Sequence, residues 1–250
     1  MLGYIPRVSN SNTSSGVMIR GRALRPLLAG LRNLGVDIEV LTSSLGVAES
    51  HLGDPEQSYS HTSMIRMWES LTEASGDPAI GLHAAEHGRS SDFELIWYLL
   101  RSSGSLRDAA DPFNHYRRLL AEAVDIEVIE QEDRILVIHR VAGDVPMPRA
   151  SADYVLATAV RLTRELLEGR APVLEVCFRI PEPAEVAEYE RIFRAPIRFG
   201  MDHNGFAIGT LSDFPLPTSD PPLLRVLVRH ADSLLKKMSP HGPFRSEEHT

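Results

Sequence analysis

The 250-residue chain is poor in several things that usually announce a function. A single cysteine, Cys177, excludes an internal disulfide framework and any multi-cysteine zinc or iron–sulfur site, and suits a reducing compartment. Aromatic residues make up only 6%, and lysine occurs only at Lys236 and Lys237, so arginine carries nearly all the positive charge. The arginines are scattered, which fits a compositional bias of the source better than a phosphate-reading patch. Positive charge is also short: 26 Lys+Arg against 34 Asp+Glu gives −8, a balance that repels a polyanion and makes these residues by themselves a poor DNA binder. No run approaches the roughly 18 apolar residues of a membrane span, and residues 1–16, rich in Ser and Asn, lack an apolar signal core. These absences point to a cytoplasmic protein. What is present is 43% hydrophobic residues, enough for one large or two small domains.

Periodicity divides the chain in two. Residues 20–34 place Leu24, Leu27, Leu28, Leu31 and Leu34 at helical spacing, with Gly35 where a left-handed cap belongs. Residues 36–53 predict one or two short helices broken near Gly46, and residues 60–74 a helix with Met64, Ile65, Trp68 and Leu71 on one face. Gly76-Asp77-Pro78 is a stop followed by an N-cap and a proline at the first helical position. After the dense apolar stretch 93–100, Ser105 and Asp108 make a variant capping box for a helix through Ala109, Phe113, Tyr116 and Leu120. The character changes at Val124: residues 125–130 and 134–140 predict a hairpin, 150–167 a long helix, 173–179 a strand, 183–193 a short helix and 196–200 a strand. Asn204-Gly205 predicts a tight hairpin into 206–209, and Asp220-Pro221 opens a last helix with Leu223, Leu227, Ala231, Leu234 and Met238 on one face. The expected class is α+β, a helical N-terminal layer followed by a mainly antiparallel sheet of about five strands packed by helices. Residues 17–238 read as one domain, with a split near 124 as the alternative, between a disordered leader (1–16) and a tail (239–250).

Four constellations could carry chemistry. His83-Ala84-Ala85-Glu86-His87 matches the inverted zinc-protease pattern, in which two histidines one helical turn apart hold zinc and the glutamate acts as base. The short helix, the stop at Gly88 and the lack of an identifiable third ligand favour two histidines at a helix C-terminus instead. Gly104-Ser105 is a capping serine rather than a nucleophile elbow, and neither a dinucleotide fingerprint nor a P-loop occurs, so no cofactor is implied. Cys177, between Val176 and Phe178, reads as a buried inert thiol. Trp97, Tyr98, His115 and Tyr116 form two close pairs on adjacent predicted helices and are the candidate lining of a small-molecule pocket, core packing being the alternative. No enzyme is read from these patterns.

The order of motifs adds a resemblance. The segments LGVDIEVLTSSLGV (34–47), SGDPAIGLHAAEH (75–87) and PRASADYVLATAVRLTRELL (148–167) precede Phe193-Arg194-Ala195-Pro196-Ile197-Arg198-Phe199, the Asn-Gly pair, Pro215-Leu216-Pro217 and Asp220-Pro221. In this order they are similar to the N-terminal, arabinose-binding-type regulatory domain of AraC/XylS-family transcription regulators, over about residues 16–238. Arg194 departs from that pattern, which has glycine there. The resemblance implies an effector-sensing, dimerising module that binds a small molecule and signals, through the last helix, to a C-terminal helix-turn-helix domain beyond Thr250. It does not by itself imply a sugar as effector. The competing expectations are a metal-dependent hydrolase built on His83, Glu86 and His87, and a stand-alone dimerisation partner.

Overall fold

In the computed structural model, residues 18–121, 124–141, 147–209 and 215–238 are described. The proposed leader and tail lie outside these residues. The helical half begins with an element that periodicity hides: β1 (Met18–Arg20) pairs antiparallel with β2 (Ser58–Ser60) in a small ribbon. This ribbon and a 3-10 turn (Gly21–Ala23) take the place of the first turn of the expected helix, so α1 spans Leu24–Asn33. Its leucine stripe is buried as the spacing predicts, and Gly35 adopts φ 73° just beyond its end.

α2 (Glu39–Leu45) stops at the left-handed Gly46, and α3 (His61–Ser75) is opened by the Ser60 hydroxyl, which accepts from the Ser63 N–H at 3.1 Å. On α3, Met67 is fully buried while Ile65 is only half-buried, a rotation of the predicted face by part of a turn. α4 (Ile80–His87) crosses the long helix closely, because Gly81 has no Cβ; one would lie 2.0 Å from the Ala150 carbonyl oxygen. α5 (Leu95–Ser102) and α6 (Leu106–Tyr116) follow, the latter capped by Ser105 accepting from the Asp108 N–H at 3.1 Å.

The second half is a five-stranded sheet: β3 (Val124–Glu130), β4 (Arg134–Val141), β5 (Val173–Cys177), β6 (Ile197–Arg198) and β7 (Asn204–Gly209), in spatial order β3-β4-β7-β5-β6. All neighbours are antiparallel except β5 and β6. The expected Asn-Gly hairpin does not form. Asn204 and Gly205 belong to β7, which enters the middle of the sheet between β4 and β5. Their residue types serve that position: the Asn204 Oδ1 accepts the Arg179 N–H at 2.9 Å, and a Cβ on Gly205 would press to 2.6 Å from the Val137 carbonyl oxygen.

α7 (Arg149–Leu166) joins the halves, touching α3 and α4 as well as β7 and α8 (Val186–Phe193). Arg194 ends α8 in the left-handed region at φ 45°, the conformation that the glycine of the resembled pattern would adopt without strain. α9 (Pro221–Lys237) is capped by Asp220, whose Oδ1 accepts the Leu223 N–H at 2.9 Å. Its packed stripe is Leu224, Leu227, Val228, Ala231, Leu234 and Leu235; the predicted Leu223 points outward, and Val226 is 52% exposed.

Candidate functional site

A cavity of about 290 Å³ lies between the α5–α6 helices, one face of β3, β4 and β7, and α7. Each wall comes from one sequence period. Every second residue of β3 (Val124, Ile126, Val128, Glu130) and of β4 (Ile135, Val137, His139) faces it, as the pleat requires. From α7 come Tyr154, Val155, Thr158, Ala159, Leu162 and Leu166, a stripe of three- and four-residue steps. α5 and α6 contribute Ile96, Trp97, Leu100, Ala109, Ala110 and Phe113. The walls are therefore hydrocarbon and aromatic almost throughout.

The polar exceptions are few. His139, 9% exposed, lines the cavity from β4, and burial alone pushes its pKa down to about 4, so the ring is neutral near pH 7. Thr158 is 5% exposed, with its hydroxyl within reach of the Tyr154 hydroxyl on the same helix, while the buried Asn114 Oδ1 makes no hydrogen bond among the described residues. Charge is confined to Arg107 and Glu130, which are partly exposed and pair with each other from α6 to β3. The Tyr154 ring packs against Trp68 at 5.6 Å between centroids, and its burial raises its hydroxyl pKa. Such a space suits a small molecule that is mostly apolar with one or two fixed hydrogen-bonding points.

Of the four aromatic and histidine candidates, only Trp97 is on the cavity wall. Tyr98 is 41% exposed. His115 is exposed and meets the Tyr116 ring edge-on at 4.7 Å. Tyr116 is buried, and its hydroxyl donates to the Asp232 Oδ1 of α9 at 2.8 Å; burial, with that carboxylate, pushes its pKa up to about 12. The reason they do not converge is helical geometry: adjacent residues point about 100° apart, so a sequence pair cannot share one face. The signals that would have found the cavity are the alternation on β3 and the α7 stripe.

The His83-Glu86-His87 set is built into a different place. The His83 ring contacts the Asp77 carboxylate through Nδ1 at 2.6 Å and Glu188 of α8 through Nε2 at 3.1 Å. Burial opposes protonation of His83, but the two carboxylates outweigh it and leave the pKa raised. Glu86 accepts both Nη groups of Arg191 at 2.6 and 2.8 Å, an interaction that lowers its pKa. His87 is exposed, with Nδ1 3.0 Å from the His83 carbonyl. The residues of the motif thus tie α4 to α8, and no cluster of three or more potential metal ligands occurs among the described residues. Cys177 is buried, which raises its thiol pKa, and lines a separate pocket with Arg134, Glu175 and Arg198.

Fold and cavity together define an α+β domain with an apolar cavity between its helices and sheet. Residues 35–210 match the model of the "Arabinose-binding domain of AraC transcription regulator, N-term", and as this is more than half of the chain, the protein belongs to that family. It is similar to the ornithine utilization regulator of Pseudomonas aeruginosa, at 22% identity over 213 residues. That alignment takes in 84% of this chain but 62% of the relative, so the chain spans less than two thirds of that regulator's length. Among solved structures it resembles the transcriptional regulator CdpR of Pseudomonas aeruginosa, with a TM-score of 0.52 and 19% identity, covering 83% of this chain and 72% of the other. That likeness concerns the fold. No helix among the described residues is long and apolar enough to cross a membrane.

Proposed function

We propose that this domain is the effector sensor of an AraC-type transcription regulator and that the cavity between α5, α6, α7 and the sheet holds the effector. The observation that carries the reading is the apolar cavity with a buried, neutral His139 and the Thr158 hydroxyl as polar points on its walls. A polar group held dry without a partner costs about 1–3 kcal/mol, and a ligand able to pair with it recovers part of that cost. Family membership supports a regulatory rather than a catalytic role. The sensor works as a cytoplasmic homodimer and reaches DNA through a separate helix-turn-helix domain; the charge of −8 on these residues supports such a division of labour.

The signal leaves through α6 and α9. α6 forms part of the cavity wall, and Tyr116 at its end is hydrogen-bonded to Asp232 on α9, so a ligand that shifts α6 biases the last packed helix. The test is a thermal-shift screen of small molecules. A ligand at 100 times its Kd adds about 2.7 kcal/mol, or roughly 5–10 °C for a chain of this size. Hits should lose their effect in Ala159→Phe, which fills the cavity from α7. Hits that stabilise the wild type and the filled variant equally would place the effector elsewhere.

A further inference from the structure

We infer that the cavity selects an uncharged, largely hydrocarbon or aromatic molecule carrying one hydroxyl or carbonyl oxygen, with that oxygen bound at His139. This rests on the reading of the cavity as the effector site and narrows it to a ligand class.

Size comes first. At about 290 Å³ the cavity lies at the lower end of the range for small-molecule pockets, about 300–1,000 Å³. Charge comes second. An ion moved into a dry space without a counter-charge pays a desolvation cost that only a well-placed partner repays. The charged residues on the wall, Arg107 and Glu130, already pair with each other and lie at its partly exposed rim, as does Val128. A carboxylate or ammonium placed among Trp97, Phe113, Val137 and Leu162 meets no counter-ion. Polarity comes third. A pentose would bring several hydroxyls to walls with few groups to receive them, and ornithine would bring charges. Neither suits this interior, whatever the names of the family and of the relative.

His139 is suited to one oxygen. A neutral imidazole offers one N–H donor and one nitrogen acceptor, so it serves a hydroxyl or a carbonyl. Among the described residues burial is the one influence resolved on the ring, and no hydrogen bond holds it. Thr158, on the α7 wall, is a second polar point.

The test uses one skeleton with different heads: 4-phenylbutanol, butylbenzene, 4-phenylbutyrate and 4-phenylbutylamine, together with L-arabinose and L-ornithine. Binding is read from Trp97 fluorescence in a Trp68→Phe background and from melting temperature. The expected order is 4-phenylbutanol first, butylbenzene next, and both ions at least thirtyfold weaker at pH 7.5, with no response to arabinose or ornithine. His139→Phe should weaken 4-phenylbutanol about tenfold, the worth of one hydrogen bond, while leaving butylbenzene unchanged, a split that a merely structural histidine would not give. Ala159→Phe and, as a second filled variant, Ala110→Phe should abolish both.

If an ion, arabinose or ornithine binds best and the filled variants abolish it, the ligand class is wrong and the cavity remains the site. If neither the alcohol nor the hydrocarbon binds the wild type, the class is likewise overturned. If a probe binds equally to the wild type and both filled variants, the cavity reading itself falls.

Discussion

The seam between α4 and α8 and the cavity beneath the sheet are opposites in chemistry. At the seam nearly every charged group has a named partner: His83 with Asp77 and Glu188, Glu86 with Arg191, and Arg149 with Glu185. Asp153 is fully buried, pushed up to about 7 chiefly by burial, yet accepts the Tyr189 hydroxyl at 2.7 Å. In the cavity the polar groups are few: Arg107 pairs with Glu130, Thr158 lies beside Tyr154, and His139 is shifted by burial alone. The difference is one of degree, since the Asp153 Oδ2 makes no hydrogen bond among the described residues, only a 3.5 Å contact with Arg149; the densely paired seam reads as structure, and the sparsely polar cavity is where we propose the ligand. The motif that looked most like a catalytic centre, His83 to His87, belongs to the seam.

The strongest way to break this contrast is to put an unpaired charge on the cavity wall and to remove one member of the seam's ion pairs. Ile135→Asp, at a wall position 2% exposed, should cost at least about 4 kcal/mol or prevent folding, as an isolated buried carboxylate does. Glu188→Gln on the seam should cost less than about 1 kcal/mol, because that ion pair is partly exposed. Urea unfolding of the two variants gives both numbers, and equal losses would erase the distinction.

The two histidines sharpen it by pH. His139 has a lowered pKa, so below about 6.5 the unfolded chain binds the proton more readily than the native one. Its contribution is constant above pH 6.5 and falls between 6.5 and about 4, by on the order of 3 kcal/mol; His139→Phe should flatten that limb of the stability profile. His83 runs the other way. Its raised pKa makes its contribution fullest below 6.5 and lost as pH rises through the folded value, so His83→Gln should weaken the acid side by less than about 1 kcal/mol. Denaturation at a series of pH values distinguishes the two, and a shared direction would contradict the assignment of neutral and paired rings.

Smaller effects test the frame around the sites. Tyr189→Phe removes the donor to Asp153 and should cost about 1–3 kcal/mol. Arg194→Gly relieves a left-handed arginine and should raise stability by about 1 kcal/mol, measured as the midpoint shift in urea.

The same contrast explains what could be read before the structure. Helices with one-sided stripes and ordinary caps, such as α1 with Gly35, α6 with Ser105 and α9 with Asp220, were legible because caps and periodicity are local. The β1–β2 ribbon and the central placement of β7 were not, since both depend on partners far along the chain. Asn204-Gly205 shows the hazard: a pair that favours a tight turn is used instead for a buried side-chain bond and a close strand approach. The cavity was hidden for a related reason. Its walls come from six elements of both halves, and only Trp97 among the sequence candidates lies on them, whereas His139 and Thr158 acquire their meaning from burial alone.

The central claim is that the effector enters the space between α5, α6, α7 and the sheet. Calorimetric titration of 4-phenylbutanol into the wild type and into Ala159→Phe at several temperatures tests it most directly. The account predicts saturable one-to-one binding with a negative heat-capacity change in the wild type and none in the filled variant. Equal binding to both, with Ala159→Phe shown to be folded, would contradict it.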